Sequence, residues 1–220
     1  MAEISTSILN VIKKENPTKV FYDLEVAGTD YYHIDVMDGK FVEKDTSQNM
    51  YEFSNIIKQI SNLPLDVHLM VEDIKSYIDE YLGLEPHFIT IHYEACKNKE
   101  EVKLLLKYIT ENNVKCGLSI KPNTKLEEIY EFLPYISLCL IMSVEPGKGG
   151  QKFIPEIIDK IEELKKYLVE NNLETYIEVD GGINSETAEI AKKAGTDILV
   201  VGTAIIEAED YKKEIDKLKK

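Results

Sequence analysis

The sequence predicts a (β/α)₈ barrel, in which eight parallel strands alternate with helices. Short β-rich runs alternate with longer amphipathic segments rich in Lys and Glu from one end of the chain to the other. Landmark residues at the ends of these runs recur at a mean spacing of roughly 28 residues, close to one strand–helix unit of this barrel. Runs such as ILVV and LCLIM are apolar at every position, which is typical of strands covered on both faces.

Eight runs are predicted to be strands. In chain order they are Ile4–Leu9, Tyr31–Val36, Leu65–Met70, Phe88–His92, Lys115–Ile120, Ser137–Met142, Tyr176–Val179 and Ile198–Val201. The landmarks at their C-terminal ends are, in the same order, Ser7, Asp35, His68, His92, Ser119, Met142, Asp180 and Gly202. The clearest helical pattern covers Pro155–Asn171, and Lys99–Asn112 and Ser185–Ala194 show similar apolar spacing.

The chain is predicted to form one barrel domain over residues 1–220, because no linker, low-complexity stretch or block of charge divides it. Its length and its 44% of hydrophobic residues suffice for one sizeable core. A doubly wound open sheet is the main rival, but such sheets usually carry a glycine-rich turn after the first strand. Here the first strand leads into SILN and the glycine-rich turns come late, which favours the barrel.

Charge and composition limit the partners of this protein. A net charge of −14 argues against nucleic acid, and the absence of arginine leaves lysines, a metal or backbone N–H groups to hold an anionic substrate. No apolar run could span a membrane, and MAEISTSILN lacks the features of a signal peptide, so we expect a cytoplasmic protein. Cys96, Cys116 and Cys139 are scattered, which suits small core residues in a reducing compartment.

Four metal-capable side chains stand at the ends of three predicted strands. His33 and Asp35 lie two residues apart, so they share one face of their strand, and His68 and Asp180 end two others. Two imidazoles and two carboxylates are a common ligand set for a catalytic divalent metal, and strand ends carry the chemistry in this fold. Two carboxylates beside one metal, Asp35 and Asp180, could also move a proton between opposite faces of a flat intermediate.

Glycine-bearing turns follow the last three predicted strands. They are EPGKGG at residues 145–150, GGIN at 181–184 and GTA at 202–204. Glycines let several backbone N–H groups converge on an anion, so we predict a phosphate site here, to which Lys148 adds charge unless it points outward. Met37, Met70 and Met142 lie at comparable strand ends and, with Leu9, are predicted to line the site and exclude water.

Longer motifs recur in a fixed order along nearly the whole chain: SIL at Ser7, HIDVMDGKFV, LDVHLMV, ITIHYEA, IMSVEPGKGGQKFIP, IEVDGGIN and GTDILVVGTAI. With these motifs the chain resembles the ribulose-phosphate 3-epimerase family. The resemblance implies a ribulose-phosphate-binding barrel that interconverts ribulose 5-phosphate and xylulose 5-phosphate through an enediolate, a reaction of the pentose phosphate pathway.

The resemblance also implies roles for individual residues. His33, Asp35, His68 and Asp180 match the family's metal ligands, and Asp35 and Asp180 match its proton carriers. The positions that match substrate or phosphate contacts are Ser7, His68, Gly147, Lys148, Gly149, Gly150, Asp180, Gly181, Gly182, Gly202 and Thr203.

Several loops at the barrel mouth depart from the family pattern. FVEK at 41–44 stands where FVPN is usual, IKP at 120–122 replaces LNP, and EPGKGG replaces NPGFGG, while Thr203 keeps the hydroxyl of the usual serine. The altered residues are Glu43, Lys44, Lys121, Glu145 and Lys148. Because such loops read substrate length and identity, a hexulose phosphate such as allulose 6-phosphate stays open as an alternative substrate.

Other functions are less well supported by the sequence. A non-catalytic sugar-phosphate-binding barrel would be expected to lack a ligand or a proton carrier, and all four are present. A metal-dependent hydrolase or an aldolase is a third hypothesis, but Lys115 and Lys121 lie in no motif that would support a Schiff base. The ligand set accepts Zn²⁺, Fe²⁺, Mn²⁺ or Co²⁺, and the sequence leaves open whether the protein is a homo-oligomer.

Overall fold

The structure, a computed structural model, describes residues 2–220, and its centre is a closed barrel of eight parallel strands. The strands are β1 Glu3–Ser7, β2 Tyr31–Met37, β3 Leu65–Met70, β4 Phe88–His92, β5 Lys115–Ile120, β6 Leu138–Met142, β7 Tyr176–Asp180 and β8 Ile198–Val201. Each strand pairs with the next in chain order, and β8 pairs with β1. The predicted (β/α)₈ barrel is confirmed.

Helices cover the outside of the barrel. They are α1 Pro17–Ala27, α2 Ser47–Ile60, α3 Ile74–Leu82, α4 Lys99–Glu111, α5 Ile157–Glu170, α6 Ser185–Ala194, α7 Thr203–Ile206 and α8 Tyr211–Lys219. Between β5 and β6 two short 3₁₀ helices, Leu126–Glu128 and Leu133–Tyr135, replace an α-helix, and Pro134 in the second lacks the N–H that a longer helix needs. Within residues 2–220 no helix has the length and apolar character needed to cross a membrane.

The predicted strand bounds agree with the structure to within two residues. The largest difference is at β1, which ends at Ser7 because Leu9–Lys13 forms a 3₁₀ helix. The backbone N–H of Leu9 donates to Ser7 Oγ at 3.4 Å, and such a local bond competes with strand pairing. The helix predicted over Pro155–Asn171 is shorter, and begins at Ile157 and ends at Glu170.

The two faces of the barrel strands have different compositions. Outward residues such as Ile34, Val67 and Leu118 join one large core between strands and helices. Inside the barrel an apolar cluster contains Phe88, Leu138, Leu140, Met142, Val144 and Ile198. Polar side chains, all buried, occupy inward positions of β1 to β4 and β7, namely Ser5, His33, Asp66, His68, Thr90, His92 and Glu178. The interior therefore has a polar side, which leads to the functional site at the barrel mouth.

Gly117 tests how tightly the barrel interior is packed. A Cβ added at this residue would lie 3.0 Å from Thr90 Cβ and 3.2 Å from Leu138 Cδ2, closer than ordinary contact. We expect Gly117→Ala to lower the free energy of unfolding by about 1–3 kcal/mol, measured by urea denaturation. Gly83→Ala is the matched control, because its nearest neighbour would be the Glu80 carbonyl oxygen at 3.8 Å. Equal stability of the two variants would show that the interior is looser than described.

Candidate functional site

The structure brings together the four side chains predicted from strand ends. Asp35 on β2 is paired with His68 on the neighbouring strand β3. Because the barrel is closed, Asp180 at the end of β7 faces His33 across its interior. Each of these four residues offers one ligand atom, and the four atoms lie within 4.8 Å of one another. A cluster able to hold a metal ion therefore stands at the C-terminal ends of β2, β3 and β7.

Two buried nitrogens provide a test of whether an ion fits. His33 Nε2 and His68 Nδ1 are fully buried and have no hydrogen-bond partner. His33 Nε2 lies 3.6 Å from Asp35 Oδ1, and His68 Nδ1 lies 3.8 Å from both Asp35 Oδ1 and Asp180 Oδ2. These separations are too long for hydrogen bonds but suit ligands that each lie about 2.0–2.2 Å from one shared ion. The donor set of two nitrogens and two carboxylates therefore fits a divalent metal.

The far side of each ligand imidazole is already bonded. His33 Nδ1 lies 2.6 Å from Asp66 Oδ2, which also accepts a 2.7 Å bond from Ser5 Oγ. His68 Nε2 lies 2.9 Å from His92 Nε2. Metal-binding histidines usually have such a partner on the other ring nitrogen, which fixes the orientation of the ring.

Sequence reasoning missed the roles of these partners, although a signal was present. Asp66 is two residues before His68, and Glu178 is two residues before Asp180, so each shares the inward face of its strand with a ligand. His92 was recognised as a strand end but was given no role. Glu178 is fully buried, and a carboxylate oxygen of this residue lies within 4.8 Å of ligand atoms of His33 and Asp66.

Electrostatics at the site reflect buried charges of both signs. Burial by itself would lower the pKa of His33, but the carboxylates of Asp66 and Asp35 outweigh burial and raise that pKa well above its usual value. Burial would raise the pKa of Asp35, yet the charge of His33 holds it far below its usual range. Burial, followed by the charge of Asp35, raises the pKa of Asp180 to about 7. Without a metal, the surrounding carboxylates thus favour the protonated form of His33.

The cluster opens into a cavity of about 290 Å³ at the barrel mouth. Predicted site residues that line it are Ser7, Leu9, Asp35, Met37, Met70, Met142, Gly147, Lys148, Gly149, Gly150, Asp180, Gly181, Gly182, Gly202 and Thr203. His33 and His68 are completely buried beside Asp35 and Asp180. Ser7 Oγ donates a 2.6 Å bond to Asp35 Oδ2, which leaves Asp35 Oδ1 directed at the two histidines.

Backbone, rather than side chains, forms one wall of this cavity. Gly182 has φ +65°, and a Cβ there would lie 2.8 Å from Phe153 Cα, so only glycine fits. A Cβ on Gly202 would lie 3.3 Å from Ser7 Cβ, which brings the turn after β8 close to the end of β1. Asn10, not predicted as a site residue, also lines the cavity, and its Nδ2 donates to Thr203 Oγ1 at 3.0 Å.

Of the altered mouth residues, Glu145 and Lys148 line the cavity, whereas Glu43, Lys44 and Lys121 do not. Lys148 has a 73% exposed side chain, and its Nζ lies 3.8 Å from the Glu43 carboxylate. The Lys121 Nζ lies 4.4 Å from the centre of the Phe41 ring, and the Glu145 carbonyl accepts from Gln151 Nε2 at 2.6 Å. Lys44 is exposed on the loop between β2 and α2.

A buried chain of hydrogen bonds continues behind His92. Its Nδ1 lies 3.1 Å from Glu94 Oε2, and Glu94 Oε1 accepts from the backbone N–H of Lys121 at 2.7 Å and from the Thr124 hydroxyl. Burial would raise the pKa of Glu94, but the bond to His92 and these further donors lower it to about 2. Burial lowers the pKa of His92 to about 4.

Similarity to known proteins extends over nearly the whole chain. Residues 3–206 match the family model described as the ribulose-phosphate 3 epimerase family. The chain is 38% identical over 198 residues to the ribulose-phosphate 3-epimerase of Bacillus subtilis, which covers 90% of this chain and 89% of that protein. The ribulose-phosphate 3-epimerase of Methanocaldococcus jannaschii is 40% identical over 195 residues, which cover 89% and 80% of the two chains.

Solved structures with the same fold are more distant in sequence. KGPDC from Streptococcus mutans matches with a TM-score of 0.70 and 11% identity, over 100% of this chain and 96% of that chain. The 3-hexulose-6-phosphate synthase from Salmonella typhimurium matches with a TM-score of 0.66 and 17% identity, over 98% and 96%. At these identities the likeness shows the fold alone.

The lowered pKa of Glu94 predicts a pH dependence of stability. A carboxyl whose pKa falls from 4.5 to about 2 on folding stabilises the native state by roughly 3 kcal/mol above pH 5. That contribution is lost as the pH falls towards 2, because the carboxylate becomes protonated. Urea denaturation of the metal-free protein should therefore show a steeper loss of stability in the wild type than in Glu94→Gln. The exposed Glu111→Gln control should follow the wild type, and parallel curves for all three would contradict the prediction.

Proposed function

The chain belongs to the ribulose-phosphate 3-epimerase family, and from this premise we propose that it interconverts D-ribulose 5-phosphate and D-xylulose 5-phosphate. The observation that carries the proposal is the position of two carboxylates on the cavity wall. Asp35 and Asp180 reach the cavity from β2 and β7, and each has an oxygen 3.8 Å from His68 Nδ1. A substrate held between them would have one carboxylate on each face of its C3 carbon.

The proposed reaction removes one proton from C3 and returns a different one to the opposite face. One carboxylate takes the C3 proton, the electrons of the C–H bond move into the adjacent carbonyl to form an enediolate, and the other carboxylate returns a proton to the opposite face. The bond from Ser7 Oγ holds Asp35 in place. The buried side chains of Met37, Met70 and Met142 exclude water from the reacting carbon.

A divalent metal is the proposed cofactor, held by His33, Asp35, His68 and Asp180. When bound, it would stabilise negative charge that develops on the substrate oxygens. Zn²⁺, Fe²⁺, Mn²⁺ and Co²⁺ all suit this mixture of nitrogen and oxygen ligands.

The glycine turns after β6, β7 and β8 are the proposed phosphate site. They line the cavity, and their backbone N–H groups can surround an anion in a chain that has no arginine. Because Lys148 points outward to Glu43, we assign the phosphate to the backbone rather than to this lysine. Free cysteines at positions 96, 116 and 139 agree with a reducing compartment, and we place the reaction in the cytoplasm.

Solvent deuterium provides the direct test of the reaction. Incubation with ribulose 5-phosphate in deuterated water should yield xylulose 5-phosphate labelled at C3, because the returned proton comes from a carboxyl that exchanges with solvent. Product and label are read by NMR. The same assay with allulose 6-phosphate tests the hexulose alternative, and unphosphorylated ribulose tests the phosphate site. Absence of exchange with every ketose phosphate would contradict an epimerase.

Removal of either proton carrier should abolish turnover. We expect Asp35→Asn and Asp180→Asn each to lower kcat by roughly 100-fold or more, since an amide cannot accept the proton. Asp79→Asn, on the exposed face of α3, is the matched control and should retain wild-type kcat. Circular dichroism checks that all three variants are folded. Near-normal kcat in a folded Asp35→Asn or Asp180→Asn variant would exclude the two-carboxylate mechanism.

A further inference from the structure

His68 is connected to a carboxylate that does not touch the cluster. The connection runs from His68 Nε2 to His92 Nε2 at 2.9 Å and from His92 Nδ1 to Glu94 Oε2 at 3.1 Å. Both rings are fully buried, with their centres 5.0 Å apart and their planes inclined by 28°. The Phe41 ring covers His92, with its centre also 5.0 Å away. This packing leaves the two imidazoles little freedom to turn.

The donor and the acceptor in each of these hydrogen bonds follow from the chemistry of Glu94. Its Oε1 accepts from the Lys121 backbone N–H and the Thr124 hydroxyl, so Oε2 is left to accept from His92 Nδ1–H. His92 Nε2 then carries a lone pair and accepts from His68 Nε2–H. His68 in turn carries its lone pair on Nδ1, the atom that faces Asp35 and Asp180.

We propose that Glu94, acting through His92, is a positioning residue that fixes the tautomer of His68 and so presents Nδ1 as a metal ligand. The inference rests on the metal site of the proposed function. His33 is arranged the opposite way round, because Asp66 bonds its Nδ1 directly and leaves Nε2 for the ion. The two histidines thus use different ring nitrogens, and each nitrogen is selected by a carboxylate behind the ring.

The hydrogen-bonded path from Glu94 through His92 to His68, here called the relay, is anchored outside the barrel. Lys160 on α5 donates to the carbonyl oxygens of Pro122 at 2.6 Å and Thr124 at 2.7 Å, which holds the loop that bonds Glu94 Oε1. In any residue long enough to reach it, the backbone N–H of Lys121 requires an acceptor at the position of Glu94 Oε1. This requirement makes glutamine an informative substitution.

In Glu94→Gln the carbonyl oxygen must take the Oε1 position, so the amide NH₂ must face His92 Nδ1. Every proton in the relay would then reverse, and His68 Nδ1 would carry a hydrogen directed at the metal position. Glu94→Ala removes the preference for one tautomer of His68 without favouring the other. The relay therefore predicts that Glu94→Gln binds metal more weakly than Glu94→Ala. A purely structural role for Glu94 predicts the reverse, because glutamine has the shape of glutamate.

The test measures Co²⁺ and Zn²⁺ affinity of the full chain by competition with a chelator, and the visible spectrum of the Co²⁺ form reports its ligands. We expect Glu94→Gln to bind roughly 10–100-fold more weakly than wild type, with Glu94→Ala between them. Thr124→Val is the matched control: it removes a bond to Oε1, keeps Oε2 on His92, and should bind like wild type. Wild-type affinity in Glu94→Gln, or tighter binding than in Glu94→Ala, would overturn the relay.

A second variant and a metal-free measurement separate the relay from the proposed function. His92→Phe keeps an aromatic ring at this position but removes both nitrogens, and it should also weaken metal binding; unchanged affinity would overturn the proposal. In the metal-free protein, long-range ¹H–¹⁵N spectra should show the His68 proton on Nε2 in wild type and on Nδ1 in Glu94→Gln. The same tautomer in both would overturn the relay even if metal binds. Failure of the wild type to bind metal, with the tautomers as stated, would instead refute the metal-dependent function.

Discussion

The barrel interior concentrates carboxyl groups in a chain that has no arginine to neutralise them. Asp35, Asp66 and Asp180 converge there, and among the described residues that form the two metal-capable groups, only His33 and His68 can supply nitrogen. An uncompensated buried carboxylate is costly, so positive charge must come from a proton on His33 or from a cation. Both would occupy the same atom, His33 Nε2. Binding of a metal there would therefore displace this proton, as is usual for sites with histidine ligands.

Among the described residues that line the cavity, Lys148 alone has a cationic side chain, and the wall opposite the cluster consists largely of backbone. Turns at the ends of β6, β7 and β8 present glycine backbone instead of lysine or arginine, and Lys148 lies against Glu43 at the surface. Close approach of the turn at Gly182 to the backbone of Phe153 leaves no room for a side chain, and the turn at Gly202 lies tightly against Ser7. The cavity thus has an acidic, metal-capable wall and a backbone wall. This arrangement suits a substrate with a polar carbon skeleton at one end and an anion at the other.

Much of the fold and the central cluster could be predicted from sequence because both depend on local periodicity. Side chains alternate between the two faces of a strand, which predicted inward positions for His33 and Asp35 on β2 and for His68 on β3. The repeat of strand and helix predicted that the C-terminal ends of these strands meet at one mouth of the barrel. The end of β1 was wrong by two residues because the Ser7 hydroxyl bonds locally to the Leu9 N–H, which no periodicity reports. The two 3₁₀ helices that replace an α-helix between β5 and β6 likewise reflect a local cause, because Pro134 in the second has no backbone N–H to donate.

By itself the sequence determined the barrel, the strands that form it and the identity of the four side chains that meet at its mouth. Only the tertiary structure decided how these side chains are set. Which nitrogen of each histidine faces the cluster depends on Asp66 and His92, which contact His33 and His68 from neighbouring strands. Glu94 contacts His92 from the segment after β4. Burial raises the pKa of both Asp35 and Asp180, and the difference between them arises from charged neighbours: His33 lowers the pKa of Asp35, whereas the charge of Asp35, across the barrel, raises that of Asp180 further. Periodicity specifies the face of a strand, whereas the state of a buried polar group depends on contacts that exist only after the barrel has closed.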